Sequence, residues 1–255
     1  MGELIISDLS KVYERREGWN TIRELCVFDG ISLTVGESDF VSIIGSSGCG
    51  KSTLLNMAAG LSDVTSGTIR VDDRPVRGPG LDRGVVFQEF GLFPWLNVLG
   101  NIAFGLRSKG VPRGMRTELA RRYVDLVGLS GFEDYYPYRL SGGMRQRVGL
   151  ARALAVEPSV LLMDEPFGAL DAQTRESMQN ALSDIWERTR KTVLFITHDI
   201  REAIFLSNRI IVLGGRPATI TNEIVVDLQR PRNRHDLAFQ ELEQFLERAI
   251  GGHEH

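Results

Sequence analysis

The sequence predicts an α/β fold built around a parallel sheet. Three continuous apolar runs, typical of strands buried on both faces, lie at Phe40–Ile44, Val160–Met163 and Thr192–Ile196. A helical pattern from about Leu170 to Thr189 separates the last two runs, which gives the strand–helix–strand order of a parallel sheet. The first run ends at Gly45 in a glycine-rich turn that leads into an apolar helix.

Shorter patterns predict additional strands and a helical region around these runs. The segment from Asn97 to Ala155 has helical periodicity, and a last amphipathic helix precedes the C-terminal tail. Glu14–Cys26 is charged and is interpreted as a hairpin loop or an insertion. The remaining strand patterns are Leu4–Ile6, Ile31–Val35, Thr68–Val71, Gly84–Phe87, Ile210–Leu213, Ala218–Ile220 and Glu223–Val226.

The length of the chain indicates one large domain with subdomains. Domains usually contain roughly 100–200 residues, and this chain has 255. We expect a single unit in which residues 1–96 form a β subdomain and the first part of the core. Residues 97–155 then form a helical subdomain, 156–225 the second part of the core, and 226–255 a C-terminal helix and tail.

The composition excludes several classes of protein. The net charge of −3 argues against binding nucleic acid through bulk positive charge. The sequence has no apolar run near the roughly 18–20 residues that span a bilayer, and its start lacks the pattern of a signal peptide. The two cysteines, Cys26 and Cys49, do not form a disulfide framework. We therefore expect a soluble, cytosolic globular protein.

A phosphate-binding loop is predicted at Gly45–Ser52, which fits the pattern G-x-x-x-x-G-K-S/T between an apolar strand and an apolar helix. Its glycines allow successive backbone N–H groups to point at an anion, and the helix adds the positive end of its dipole. Lys51 is expected to reach the β- and γ-phosphates and Ser52 to bind Mg²⁺. A simple glycine turn before a helix is the alternative. The expected nucleotide-binding residues are Gly45, Ser46, Ser47, Gly48, Cys49, Gly50, Lys51, Ser52 and Thr53.

An acidic pair follows the second apolar run. Asp164 would stand at the carboxyl edge of the sheet beside the phosphate-binding loop, where its carboxylate can hold Mg²⁺ through water. Glu165 would then be placed to act as general base on the attacking water. Taken alone, such a pair is more typical of a helix start, where the dipole favours acidic residues. Its combination with Lys51 favours the catalytic interpretation.

Leu140–Met144, followed by Arg145-Gln146-Arg147, resembles the signature sequence of ABC-type ATPases. Other motifs of that family follow the same order along the chain: Gln88 resembles the Q-loop, Ala169–Asp171 the D-loop and His198 the switch histidine. The resemblance covers roughly residues 4–220. It implies a P-loop NTPase core of the RecA-like type, with an antiparallel β subdomain and an inserted α-helical subdomain.

The resemblance also implies how the site works. Gln88 would touch Mg²⁺ and the attacking water, and His198 would contact the γ-phosphate. The signature loop would reach across to the ATP bound by the phosphate-binding loop of a partner subunit. Two copies of the chain, or one copy and a relative, would then hold two ATP molecules between them. The residues expected to act across this dimer are Ser141, Gly142, Gly143 and Asp171. Taken alone, Ser141 fits an ordinary N-cap.

The adenine contact is left open by the sequence. The resemblance places an aromatic side chain at Tyr13, but Trp19 in the adjacent loop could stack on adenine instead. The Glu14–Cys26 segment is longer than the family pattern. A second departure is Ser38-Asp39, which stands where the family usually has Gly-Glu.

The segment Gln88–Val98, which contains Pro94-Trp95, is similar to ATPases of nitrate, sulfonate and taurine importers. The similarity implies an importer of a small anionic solute and a peripheral location on the cytoplasmic face of the membrane. Permease subunits would dock near Leu92–Trp95, unless those residues form only a locally folded apolar turn. A solute-binding protein would be an indirect partner, and nucleic acid is not expected as one. An exporter or lipid-extraction ATPase and a soluble ABC ATPase are the alternatives.

Overall fold

The computed structural model describes residues 2–17 and 21–251. The strands are β1 (Leu4–Glu17), β2 (Thr21–Val35), β3 (Phe40–Gly45), β4 (Ser66–Val71), β5 (Arg74–Pro75), β6 (Arg83–Val86), β7 (Val160–Asp164), β8 (Thr192–Ile196), β9 (Arg209–Gly214) and β10 (Thr219–Val225). The helices are α1 (Lys51–Ala59), α2 (Val98–Ser108), α3 (Arg113–Leu126), α4 (Gly142–Ala155), α5 (Ala172–Thr189), α6 (Ile200–Leu206) and α7 (Leu237–Gly251). Within these residues, none of the helices combines the length and apolar character that crossing a bilayer requires.

The larger sheet has six strands in the order β10-β9-β3-β8-β7-β6. β3 pairs in parallel with β8 and β9, β7 with β6 and β8, and only β10 runs antiparallel to its neighbour. The prediction of an α/β fold with a parallel sheet is therefore confirmed. Because β3, β7 and β8 point the same way, the segments that follow Gly45, Asp164 and Ile196 meet at one edge of the sheet.

Each central strand of this sheet is buried on both faces. In β3, Phe40 and Ile44 pack into the core that also contains residues of α2 to α7. Val41 and Ile43 point the other way, into a core formed with α1 and the smaller sheet. This alternation explains why the three apolar runs are continuous rather than polar at every second position.

The smaller sheet is antiparallel, with the order β2-β1-β4-β5. The interpretation of Glu14–Cys26 as a hairpin loop or an insertion was wrong for most of that segment. The backbone of β1 continues to Glu17 and pairs with β2, with Tyr13 opposite Leu25 and Glu14 opposite Glu24. Glu14 and Glu24 are exposed, so this ribbon lacks the apolar alternation by which a strand is recognised in a sequence.

The helical region between residues 97 and 155 begins with a capped helix. The side chain of Asn97 accepts a hydrogen bond from the N–H of Gly100 at 2.8 Å, which satisfies a free donor at the start of α2. Arg152 of α4 donates to the carbonyl of Gly91 at 2.6 Å, which ties this region to the segment that leaves β6.

The segment after β10 is fastened by a buried arginine. Arg232 donates to the carbonyl oxygens of Leu228, Ile204, Phe205, Ser207 and Val226 at 2.6–3.2 Å. Three of these carbonyls lie at the end of α6, where a cation is favoured by the helix dipole. Burial, together with the nearby charge of Arg230, lowers the pKa of Arg232 to about 9, so the guanidinium is still charged at neutral pH.

The turn before β3 contains a residue in an unfavourable backbone conformation. Ser38 has φ 61°, in the left-handed region that costs an L-residue roughly 1–2 kcal/mol. Both Ser38→Gly and Ser38→Ala lose the serine hydroxyl, and only glycine relieves the backbone. We therefore expect the free energy of unfolding of Ser38→Gly to exceed that of Ser38→Ala by about 1 kcal/mol after the larger chain entropy of glycine is subtracted. Thermal melting should show a Tm roughly 2–4 °C higher for Ser38→Gly than for Ser38→Ala. Ser38→Ala is thus the matched control, and an equal Tm in both variants would contradict the backbone explanation.

Candidate active site

The loop between β3 and α1 is shaped by glycines. Gly48 and Gly50 have φ values of 78° and 95°, which favour glycine over residues with a Cβ. A Cβ on Gly50 would also lie 2.4 Å from Cγ1 of Val27, so the loop passes too close to β2 for a side chain. Gly50 is the N-cap of α1 and offers no side-chain cap to the helix. The first N–H groups of α1 therefore lie at a site suited to an anion.

Lys51 is buried at the start of α1, with 7% of its surface exposed. Its ammonium donates to the carbonyl oxygens of Gly45 at 2.9 Å and of Ser46 at 3.0 Å. These partners are neutral backbone groups of the same loop. The positive charge is thus held in place where it can interact with an anion bound by the loop.

Ser52 connects the loop to the end of β7. Its hydroxyl donates to Oδ1 of Asp164 at 3.1 Å. Burial raises the pKa of the Asp164 carboxyl, while the hydrogen bond from Ser52 opposes that rise. A hydroxyl and a carboxylate side by side are oxygen ligands of the kind that Mg²⁺ accepts when phosphates supply the others. Among the described residues, no group of three or more His, Cys, Asp or Glu side chains is arranged to hold a metal without such help.

Glu165 and His198 contact each other at the same edge of the sheet. Nδ1 of His198 lies 2.9 Å from Oε2 of Glu165, a hydrogen-bond distance. The backbone of Glu165 has φ 42°, and its N–H donates to the carbonyl of Ile196 at 2.9 Å. Left-handed backbone at a non-glycine residue is often retained at functional sites. Here it turns the chain just after β7 and places the carboxylate beside the residue that follows β8.

One open cavity of about 610 Å³ joins these groups. It is lined by predicted site residues from the phosphate-binding loop, the end of β7 and the end of β8. These are Ser47, Gly48, Gly50, Lys51, Ser52, Thr53, Glu165 and His198. Asp164 does not line the cavity, but its carboxylate accepts a hydrogen bond from Ser52, which does. Cys49 of the same loop is buried, and both it and Cys26 are free thiols, so no disulfide joins them.

Gln88 and Tyr13 do not line this cavity. Gln88 follows β6 and is exposed. Its side chain lies close to Gly168, because a Cβ added to Gly168 would be 3.3 Å from Nε2 of Gln88. Tyr13 is 41% exposed on β1, with the ammonium of Lys11 4.6 Å from the centre of its ring. Trp19, the alternative adenine contact, lies outside the described residues. The adenine contact stays a prediction.

The signature residues form a second cluster at the facing ends of α4 and α5. The hydroxyl of Ser141 accepts from the N–H of Met144 at 3.3 Å and caps α4. Asp171 caps α5 in the same way through Thr174 at 3.0 Å, and this hydrogen bond lowers the pKa of the Asp171 carboxyl. The two helix starts are in close contact, because a Cβ on Gly143 would lie 2.5 Å from Cγ2 of Thr174. Gly142 lies beside them, next to Leu170. Like Ser141, it is absent from the lining of the 610 Å³ cavity.

A buried polar network behind His198 was not predicted. Glu202, on α6, is 4% exposed, and its carboxylate accepts from Thr197 at 2.7 Å and from Gln179 at 3.1 Å. Desolvation raises the pKa of Glu202, and Asp199 adds to the rise, although the hydrogen bonds from Thr197 and Gln179 oppose it. Local sequence has no signal for such a network, because Gln179 lies 23 residues from Glu202 and Glu is usually exposed.

A comparison with protein-family models decides the family. Residues 28–168, which include the phosphate-binding loop, the signature and the acidic pair, match the model described as ABC transporter. The chain belongs to the ABC transporter family. It is an ATP-binding protein whose hydrolysis of ATP is coupled to transport. The family resemblance and the P-loop fold predicted from the sequence are confirmed.

Curated relatives in this family cover almost the whole chain. A nitrate import ATP-binding protein of Synechocystis is 48% identical over 91% of this chain and 86% of its own length. A taurine import ATP-binding protein of Burkholderia thailandensis is 50% identical over 90% of this chain and 86% of its own length. An uncharacterised ABC transporter ATP-binding protein of Methanocaldococcus jannaschii is 49% identical over 94% of this chain and 88% of its own length.

Solved structures of ABC cassettes share the fold. One of them, a dimer in a post-hydrolysis state bound to ADP and Pi, superposes with a TM-score of 0.74 at 32% identity. The match covers 89% of this chain and the whole of that cassette.

Proposed function

We propose that this ABC ATPase powers a membrane importer for a small anionic solute of the nitrate, sulfonate or taurine type. It would act as a peripheral subunit on the cytoplasmic face of the membrane. The observation that carries its ATPase part is the arrangement of Lys51 and the Glu165–His198 pair around one cavity, with Asp164 hydrogen-bonded to the lining residue Ser52. The two relatives whose names state nitrate or taurine import, at 48% and 50% identity, support the direction and the solute class.

In this proposal the residues of the cavity divide the chemistry of hydrolysis. The loop from Gly45 to Thr53 binds the phosphates through its N–H groups, and Lys51 neutralises charge on the β- and γ-phosphates. Glu165 accepts a proton from the water that attacks the γ-phosphorus, while the bond to the β-phosphate oxygen breaks. His198 orients the Glu165 carboxylate through their 2.9 Å contact and contacts the γ-phosphate.

Ser52, Asp164 and Gln88 would hold Mg²⁺. The Ser52 hydroxyl is suited to bind directly, and Asp164, 3.1 Å from it, is suited to bind through water. When bound with ATP, the ion neutralises charge on the phosphates. Gln88 would report the state of the nucleotide to the helical region, which Arg152 already ties to the segment after Gln88. Tyr13 would stack on adenine, on the side of its ring opposite Lys11.

The second cluster would complete a site on another chain. Ser141, Gly142, Gly143 and Asp171 are absent from the lining of the chain's own cavity. The first three form the N-terminus of α4, a second place suited to an anion, and Asp171 caps the neighbouring start of α5. In a head-to-tail dimer the N-terminus of α4 would reach the γ-phosphate on the partner's loop. The partner would be a second copy of this chain or a close relative.

The permease would dock on the apolar turn Leu92–Trp95, which follows Gln88. Trp95 is 71% exposed, while Phe93 packs against Phe104 with ring centres 4.4 Å apart. The side chain of Asn101 stabilises the backbone of the turn. It donates to the carbonyls of Phe93 and Leu96 and accepts from the N–H of Phe93. The turn is therefore locally folded, and an indole this exposed is a surface suited to an apolar partner.

We expect Trp95→Ala to lower co-purification of the permease by about tenfold, because exposed tryptophans often dominate interfaces. ATP hydrolysis by the isolated subunit and its melting temperature should stay within about 20% and 1 °C of the parent, since an exposed residue adds little to folding. Phe245→Ala, at an exposed aromatic residue of α7, is the matched control. Undiminished co-purification of Trp95→Ala would contradict docking at this turn.

The importer proposal itself is tested with the membrane subunits that co-purify with this chain. The complex is placed in lipid vesicles with the ATPase side facing a medium that contains ATP, and the movement of labelled nitrate, taurine or an alkanesulfonate is followed. Transport of one of these towards the ATPase side, dependent on ATP, is expected. Movement away from that side, or extraction of lipid, would instead identify an exporter or a lipid-extraction complex.

A further inference from the structure

A chain of hydrogen bonds runs from the C-terminal segment to the loop that carries His198. Nη2 of Arg234 donates to Oε1 of Gln179 at 2.7 Å, and Nε2 of Gln179 donates to Oε1 of Glu202 at 3.1 Å. The hydroxyl of Thr197 donates to Oε2 of Glu202 at 2.7 Å. Thr197 immediately precedes His198, so the chain ends one residue from the proposed contact to the γ-phosphate.

Both ends of this series of hydrogen bonds are held by further contacts. Oγ1 of Thr197 accepts from the N–H of Asp199 at 3.0 Å, which closes the backbone around His198. At the other end, the guanidinium of Arg234 lies 3.6 Å from the centre of the Phe205 ring and pairs with Glu176 at 3.2 Å. The buried carboxylate of Glu202 therefore lies between an anchored arginine and the loop beside the active site.

In the observed order of donors and acceptors, both oxygens of Glu202 accept a hydrogen bond. A guanidinium only donates, so Gln179 must turn its oxygen to Arg234 and its NH₂ to Glu202. The Thr197 hydroxyl accepts from the N–H of Asp199 and donates its own proton to Glu202. Both oxygens of the Glu202 carboxylate therefore accept. An amide at position 202 could give its oxygen to Gln179, but its NH₂ would then donate to the second lone pair of the Thr197 hydroxyl, and the Thr197 proton would lose its acceptor at position 202.

We propose that Glu202, Gln179 and Arg234 are positioning residues that set the rate of ATP hydrolysis by holding the His198 loop, and that they link this loop to the C-terminal segment. The inference rests on the proposed role of His198. None of the three residues lines the cavity, so they act on the rate through His198 and not through nucleotide binding.

The test compares single variants with an exchange of the two side chains. Glu202→Gln replaces one of the two acceptors by a donor and removes the acceptor of the buried Thr197 proton, and we expect kcat to fall by about tenfold while KM for ATP changes by less than about twofold. Gln179→Glu sets two carboxylates against each other and should be at least as impaired. The double variant Glu202→Gln/Gln179→Glu restores every donor–acceptor match, because the carboxylate introduced at position 179 accepts both from Arg234 and from the amide introduced at position 202. Its kcat should return to within about threefold of the parent.

The measurements are steady-state ATP hydrolysis by the full chain and the NMR signals of the His198 ring without nucleotide. These signals should shift in Glu202→Gln and return in the exchanged double variant. A double variant no faster than Glu202→Gln would overturn the proposal. Ser207→Ala is the matched control, since it removes a buried hydroxyl contact with Ser42 at the end of the same helix. If it slowed hydrolysis as much as Glu202→Gln, general destabilisation would explain both and the proposal would be wrong.

Two further variants keep the test decisive. Arg234→Met changes the end of the hydrogen-bond series that is farthest from His198, and it tests the same link if Glu202→Gln does not fold. We expect kcat to fall by about threefold at unchanged KM. A parental kcat in Arg234→Met would overturn the link to the C-terminal segment. His198→Ala separates the two levels of the argument. If it hydrolyses ATP at the parental rate, the proposed function of His198 fails; if it is slow while the Glu202 variants are not, only the present inference fails.

Discussion

Glu165→Gln is expected to bind ATP with parental affinity and to hydrolyse it at least about 100-fold more slowly, because the amide cannot accept the proton of the attacking water. The substitution keeps the size of the side chain, and an amide oxygen can still accept a hydrogen bond from Nδ1 of His198, now 2.9 Å from the carboxylate. With ATP bound and not cleaved, the dimer should stay closed and elute as a dimer in gel filtration.

The measurements are nucleotide binding by fluorescence, phosphate release, and gel filtration with and without ATP. Glu223→Gln, at a glutamate that pairs with Arg209 on the far side of the fold, is the control and should behave as the parent. Hydrolysis at the parental rate in Glu165→Gln would remove Glu165 from the role of general base. Loss of ATP binding would show instead that the carboxylate is needed to build the site.

Mixing two inactive variants is expected to restore activity. Lys51→Ala removes the charge of the phosphate-binding loop, and Ser141→Arg places a large side chain at an exposed position of the signature. Each alone should lose at least about 100-fold in hydrolysis, because each damages both sites of the symmetric dimer. A mixed dimer has one site with both defects and one site with none. Random mixing should therefore recover about a quarter of the parental activity.

The measurement is single-turnover hydrolysis after the two chains have been denatured, mixed and refolded together, so that subunits exchange fully. Each variant refolded alone is the control and should stay inactive. A mixture as inactive as its components would contradict a site shared between two chains. Activity in the mixture well above a quarter would indicate that an intact site works faster beside a damaged one.

The central sheet was predictable because its strands are buried on both faces. The runs that became β3, β7 and β8 are continuously apolar for that reason, and the residues after them could be placed at one edge. The ribbon of β1 and β2 was missed in part, since Glu14 and Glu24 are exposed and its pairing depends on the neighbouring strand.

In the active site, too, some residues could be predicted from the sequence and others could not. Lys51, Asp164, Glu165 and His198 follow strand ends or a glycine loop, so their meeting can be inferred from motif and topology. The hydrogen bond between Ser52 and Asp164 joins residues 112 positions apart, and it could be anticipated only because both motifs have known places at the sheet edge. Glu202 has no such motif, because what makes it unusual is its burial, which arises from packing of α5 and α6.

The five carbonyl contacts of Arg232 bear on how the protein can be engineered. They make residues 226–236 a fastened part of the molecule, and the buried Phe239 and Leu246 extend that attachment into α7. A reporter domain fused after Gly251 would leave these anchors intact. Shortening the gene to end before Arg232 would strip the end of α6 of its cation and expose core side chains, so expression trials should treat α7 as the minimal boundary.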